Sequence, residues 1–252
     1  VPGGGGPGGD GGIMNGKGLK FGAGTYGEPL APQMPGSGGG GSTGAGSTGG
    51  SGGGVVRIDA TDKVTLNGDI LADGGPDGGQ RAGTGSGGSI YITCQSLVGA
   101  GRISASGGLA TYGSFEAGSG GGGRIAVINS PAAQALEATP TIRFAVTEGL
   151  RSNNEQCRGG IGSIYLTDSV FLGAGLTNVS GRLEGPPVIV TGSLILTNQS
   201  FGFARDVQVT VSNNVVVSGS WARLELGCSD ILTLGLPYRA TPVGGLRVSV
   251  GG

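Results

Sequence analysis

The chain has 252 residues, 61 of them glycine, with a formal net charge of −1 and only 12% charged residues. It carries no basic stripe, which argues against nucleic acid or an anionic membrane surface as partner. No apolar run reaches the roughly 18 residues a bilayer span needs, and the absence of histidine removes Ser-His-Asp and Cys-His catalysis and His-bearing zinc sites.

Glycine is concentrated before residue 125, yet no Gly-X-Y period of the collagen kind holds. The opening "VPGGGGPGGD" shows neither an initiator Met nor a signal peptide, and "VSVGG" stops in mid-pattern. Both suggest a processed or excerpted piece of something longer.

Residues 1–54 hold few apolar side chains, Ile13, Met14, Leu19, Phe21, Tyr26, Leu30 and Met34 among them. This segment is expected to run as extended or polyproline-II-like glycine chain packed beside the rest. Two near-motifs in it fail on chemistry. "GGPGGDGGI" (5–13) has Gly12 where a calcium-roll nonapeptide wants an apolar residue, and "GIMNGKG" (12–18) lacks the Ser or Thr of a phosphate cradle.

Repetition begins near residue 50. Gly-Ser-Gly-Gly starts at 50, 85 and 118, and a degenerate echo, "GGIGSIYLT", follows at 159–167. Within the phrase, "LNGDILADGG" matches "LVGAGRISASGG", so that Ile70 falls on Ile103 and Ala72 on Ala105. The apolar residues have period 2: Val56, Ile58 and Ala60; Ile90, Ile92 and Cys94; Ile125 and Val127; Ile164 and Leu166. Short alternating runs bounded by Gly, Asn and Ser read as strands. One helix is expected at "SPAAQALEA" (130–138), with its Ser-Pro start. From 171 to 252 the pattern continues in valine- and leucine-rich pieces such as Val207-Val209-Val211 and Leu224-Leu226-Cys228.

A sandwich gives each strand a different environment, whereas stacked coils meet the same environment repeatedly and so repeat their phrases. The fold class expected is therefore all-β, a parallel β-solenoid with ordered glycine-rich segments. Its parts are 1–54 packed on the solenoid, 55–170 as glycine-rich coils, and 171–252 as valine/leucine-rich coils. Counting from the repeated phrase places Ile58, Ile92 and Ile125 as equivalents in neighbouring coils, about 4.8 Å apart per rung.

The order "GTYGEP…PGSGGGG…GSGGGVVRI…NGDILADGG…GSGGSIYIT…GAGRISASGG…GSGGGGRIAVI…GGIGSIYL" resembles a glycine-rich module of very large secreted or cell-surface proteins of bacteria and protists. The resemblance covers roughly residues 20–170. It implies an extracellular, elongated β-structure, often part of a longer chain, and attaches no catalytic motif to it.

Chemistry-bearing residues are sparse. Asp59, Asp62, Asp69, Asp73 and Asp77 are scattered near coil corners, where solvated residues are expected, and do not form the clustered carboxylates of a polysaccharide-cutting enzyme. The expectation is no enzyme, no cofactor and no metal. Cys94 and Cys228 fall in phase with inward residues, as buried thiols, while Cys157 lies in the loop-like "SNNEQCRGG". A Cys94–Cys157 bridge across coils and an intermolecular bond through Cys157 are both open. Asn178-Val179-Ser180 and Asn198-Gln199-Ser200 are sequons, making Asn178 and Asn198 candidate glycan sites in a secreted eukaryotic protein.

A solenoid has open strand edges at its ends, and contacts that do not close generate filaments. The function expected is a building block of an extracellular fibre, filament or surface appendage, assembling head-to-tail with copies of itself or flanking segments. The alternative is an adhesin or carbohydrate-binding module, with Tyr91, Tyr112, Tyr165, Trp221 and Tyr238 as platforms.

Overall fold

The computed structural model describes residues 9, 24–42, 46–79, 81–110, 118–149, 157–186, 188–191, 193–197, 199–204, 207–211, 215–218, 222–226, 231–232 and 248–250. Within them the chain is all-β, with parallel sheets, one helical turn and two short 3-10 turns.

The first pass of the chain lays down β1 (Val55–Asp59), β2 (Lys63–Leu66) and β3 (Asp69–Leu71). The second repeats it as β4 (Ser89–Thr93), β5 (Ser96–Gly99) and β6 (Arg102–Ser104). Each strand pairs in parallel with its counterpart: Val56 opposite Ile90, Val64 opposite Leu97, Ile70 opposite Ile103. Side chains alternate across a strand, so this register sets the inward Val56, Ile58, Val64 and Ile70 of one pass above Ile90, Ile92, Leu97 and Ile103 of the next.

The third pass is β7 (Arg124–Ile128), α1 (Pro131–Gln134) and β8 (Arg143–Ala145). The fourth is β9 (Ser163–Leu166), 3-10 turns at Ser169–Leu172 and Ala174–Leu176, and β10 (Val179–Ser180). Thereafter come β11 (Arg182–Leu183), β12 (Val188–Thr191) and β13 (Leu194–Thr197), then β14 (Ser200–Phe203), β15 (Gln208–Val211) and β16 (Val215–Ser218). Last are β17 (Arg223–Leu226), β18 (Ile231–Leu232) and β19 (Val248–Val250).

The main sheet has eight strands in the order β1-β4-β7-β9-β11-β14-β17-β18. A second sheet runs β10-β8-β6-β3, and smaller ones pair β2 with β5, β13 with β16, and β12-β15-β19. Among these pairings only β17 with β18 is antiparallel.

Partners along the main sheet measure the length of each pass. Val55, Ser89, Arg124 and Ser163 are successive partners, offsets of 34, 35 and 39 residues. Ser163 then pairs Arg182, and Arg182 pairs Gly202, offsets of only 19 and 20. The long passes are those that carry a glycine-rich excursion between their last strand and the next.

Two expectations need correction. Ile92 faces Ile58 on one side and Val127 on the other, while Ile125 lies opposite Ile90. "GSGGGG" (118–123) holds two glycines more than "GSGG" (85–88), so the true offset is two residues longer than the phrase spacing. The helix is also shorter than the 130–138 stretch. Ser130 caps it, accepting from the Ala133 N–H at 3.4 Å, and helical residues stop at Gln134.

The third pass places no strand beside β5; α1 supplies the missing partner by other means. The Leu97 N–H donates to Gln134 Oε1 at 2.9 Å, and Gln134 Nε2 donates to the Leu97 carbonyl at 3.2 Å. A buried side-chain amide thus stands in for a neighbouring main chain and satisfies both polar groups of β5 at that point.

The core lies between the sheets: Ile90, Ile92, Leu97, Ile103, Ile125, Val127, Ile164, Leu166 and Leu183 are all fully buried. Phe144 meets Phe171 edge to face at 6.0 Å, and Phe201 meets Phe203 at 5.1 Å.

Candidate functional site

Three features could carry function: a layer built of glycine-rich main chain, the outer face of the main sheet, and the edge of the first pass.

The layer consists of segments 36–42, 47–54, 72–79, 83–88, 105–108, 118–123, 146–149 and 157–162. Segment 83–88 lies inside it, and its six consecutive N–H groups all bond. Gly83 and Ser86 donate to Gly40 and Ser37; Thr84 and Gly87 to Gly118 and Gly121; Gly85 and Gly88 to Gly75 and Ala72. Each neighbour is therefore addressed every third residue. The Gly83 and Ser86 carbonyls accept from Gly50 and Gly53, again three apart.

Such closeness leaves no room for a side chain at many of the glycines. A Cβ on Gly85 would sit 1.8 Å from the Ser51 carbonyl oxygen, on Gly123 2.0 Å from that of Gly88, and on Gly39 2.1 Å from that of Gly83. None of these glycines has positive φ. They are required by close approach of main chains, not by a left-handed turn.

The outer face of the main sheet carries the residues that alternate with the core. One row reads Val55, Ser89, Arg124, Ser163, Arg182; the next reads Arg57, Tyr91, Ala126, Tyr165. Loop 26–35 is tied to this face. Arg124 Nε and Nη2 both donate to the Tyr26 carbonyl at 3.3 Å, Ser89 Oγ donates to the Met34 carbonyl at 2.6 Å, and the Tyr26 hydroxyl closes the loop onto the Pro35 carbonyl at 2.5 Å. Arg124 Nη1 also donates to Ser163 Oγ at 2.9 Å.

Burial lowers the Arg124 pKa, with Glu184 and Glu28 opposing, and raises that of Glu184 against the pull of Arg182 and Arg124. Arg182 pairs with Glu225 at 2.7 Å. These charges are matched with one another across the sheet.

Tyr91 and Tyr165 share a row with the buried Ala126 between them. The Arg57 guanidinium lies over the Tyr91 ring, 5.1 Å from its centroid, and a Cβ on Gly185 would meet Tyr165 at 2.9 Å. Both rings are thus engaged in packing. Tyr112, Trp221 and Tyr238 lie outside the described residues, as do Asn198 and Cys228.

Asn178 is half-buried just before β10. Its N–H donates to the Leu172 carbonyl, its own carbonyl accepts from Phe144, and its side chain packs where a Cβ on Gly173 would be. Cys94 is a buried free thiol following β4, and burial pushes its pKa up to about 11. Cys157 is buried in the glycine layer, where its carbonyl accepts from Ser119.

The Cys94–Cys157 bridge does not form. The Cys94 N–H bonds to the Ile128 carbonyl, at the far end of β7 from Ser119. About nine residues of extended chain separate those points, on the order of 30 Å, against the roughly 7 Å Cα reach of a disulfide.

The third feature is the first pass itself. Val56, Ile58, Ala60, Val64, Leu66 and Ile70 pack on the core yet stay only partly buried. Val55 and Leu71 are 44% and 48% exposed. Arg57 Nε lies 2.6 Å from Asp59 Oδ2, and Thr93 Oγ1 donates to Asp59 Oδ1 at 2.8 Å. The Arg57 bond, then that from Thr93, lowers the Asp59 pKa. The alternation in "VVRID" marks the strand and its phase but gives no role to this charge pair.

No family model, curated protein or solved structure matches the chain. Among the described residues no helix is long and apolar enough to cross a membrane.

Proposed function

We propose that this chain is a parallel β-solenoid flanked by polyproline-II-like glycine segments, and that it serves as a structural building block of an extracellular fibre, filament or surface appendage. The observation that carries the reading is the unequal burial of equivalent residues. Val56 and Ile58 of the first pass are partly exposed, whereas Ile90 and Ile92, one pass on, are completely buried. An inward residue is covered only when passes lie on both sides of it, so the β1 end calls for another layer.

Two further observations support the reading. Strand follows strand in parallel from β1 to β17 along the main sheet, as in a stack that grows by repetition. The three-residue rotation of hydrogen-bond partners in segment 83–88 matches the three residues per turn of polyproline II. Secretion, and sugars on Asn178, belong to the same proposal.

Electron microscopy of the purified 252-residue chain over a range of concentrations tests it. Elongated particles joined through their ends are expected. Uniform compact particles at every concentration would contradict it.

A further inference from the structure

The partner of the β1 edge can be read from the strand's own sequence. The Gly54 carbonyl accepts from Ser89 and the Ala60 N–H donates to Thr93, both on the β4 side. Main-chain groups alternate in direction along a strand, so the even-numbered residues face β4. The N–H and C=O groups of Val55, Arg57 and Asp59 therefore point to the opposite edge. Among the described strands, β1 pairs with β4 alone.

We propose that two copies of this chain pair through that edge, antiparallel and two-fold, with Ile58 of one opposite Ile58 of the other. In this register Arg57 lies opposite Asp59 of the second copy, and Asp59 opposite its Arg57. Those are the residues whose main-chain groups face outward, so each such pair exchanges two hydrogen bonds. Val56 meets Ala60 of the second copy on the inward side, where the first pass is incompletely covered.

Charge selects this register over its neighbours. Sliding by one residue of each copy centres the pair on Arg57 or on Asp59, and sets like charges directly opposite. Only the Ile58-centred register keeps apolar residues together and alternates two arginines with two aspartates. A strand complementary to itself in this way identifies a second copy as the occupant.

The contact is head-to-head, in place of the head-to-tail joining suggested by the sequence. It does not rest on the fibre reading, because a two-fold contact gives a dimer whether or not dimers go on to assemble.

Sedimentation of the full chain tests it. A dimer is expected, weakened at least about tenfold by Arg57→Asp or by Asp59→Arg alone, as like charges are brought together. The double variant Arg57→Asp/Asp59→Arg restores pairing. Ile58→Cys gives a disulfide-linked dimer on mild oxidation. Circular dichroism confirms that each variant folds. A monomer at every concentration, or an association that neither charge reversal weakens, overturns the proposal. End-joined particles in which Ile58→Cys fails to cross-link overturn it while leaving the fibre reading intact.

Discussion

Arg158 Nη2 lies 2.5 Å from Glu148 Oε1, in an ion pair whose side chains are 3% and 1% exposed, and Ser200 Oγ donates to the same oxygen at 2.7 Å. Glu148 and Arg158 belong to the last two glycine-layer segments, and Ser200 opens β14. The contact joins the end of the layer to the shorter passes beyond it. Glu148→Gln keeps the shape but takes the carboxylate charge out of a buried ion pair, and is expected to cost about 3–5 kcal/mol. Glu148→Gln/Arg158→Met should cost much less than the single change, and Ser200→Ala about 1 kcal/mol. Urea unfolding of the three variants measures the series. A single change that costs no more than the double would contradict the account.

The glycine layer makes a sharper contrast. Gly85→Ala would drive a Cβ to 1.8 Å from the Ser51 carbonyl, while at Gly54 the same atom meets open space. We expect Gly85→Ala to cost about 3 kcal/mol or more through overpacking. Gly54→Ala should stay within about 1 kcal/mol of the parent, on the stabilising side, because it restricts the unfolded chain. Equal effects at the two positions, read from urea midpoints, would remove the close-packing explanation of the glycine content.

Much of this was legible in the sequence, and the misses have physical causes. Period 2 in "VVRID" and "SIYIT" identified the strands, and the match of Ile70 to Ile103 gave a register that holds. The alternation reports which residues face inward, and stacked passes must agree on that. The place of Ile125 was misjudged because glycines inside the layer lengthen the path without changing the phrase. The role of Gln134 was invisible, since nothing local marks a glutamine as the partner of a strand residue 37 positions earlier. The Cys94–Cys157 bridge failed for a similar reason: phase along a strand says nothing about which end of the sheet a residue occupies.

Gln134 supplies its own test. Gln134→Ala leaves the Leu97 N–H and carbonyl buried without partners, a loss of about 2–4 kcal/mol. Gln134→Glu keeps the acceptor but buries a carboxylate with one oxygen against the Leu97 carbonyl, so near neutral pH it should cost at least as much as Gln134→Ala. Thermal unfolding ranks the three. Parent-like stability of Gln134→Ala would show that the amide bonds carry no weight.

Cys94 predicts a pH dependence. Its thiol pKa rises from an ordinary 9.0 to about 11 in the fold because burial penalises the thiolate. The unfolded chain loses this proton first, so the stability linked to it is intact below about pH 9 and declines toward about pH 11. The stability of Cys94→Ala relative to the parent should therefore increase across that window and be flat below it. A constant difference would mean that the thiol titrates alike in both states.

The central claim is that glycine-rich text encodes an ordered, hydrogen-bonded layer of main chain, and residue-resolved amide exchange of the folded chain tests it most directly. The account predicts slow exchange at all six residues of 83–88, although none lies in a strand. In the outer segment it predicts slow exchange at Gly36, Gly39 and Ser42, which donate to Gly53, Gly50 and Ser47, and fast exchange at Gly38, Gly40 and Gly41 between them. Rapid exchange throughout 36–42 and 83–88, with the strands still protected, would contradict it.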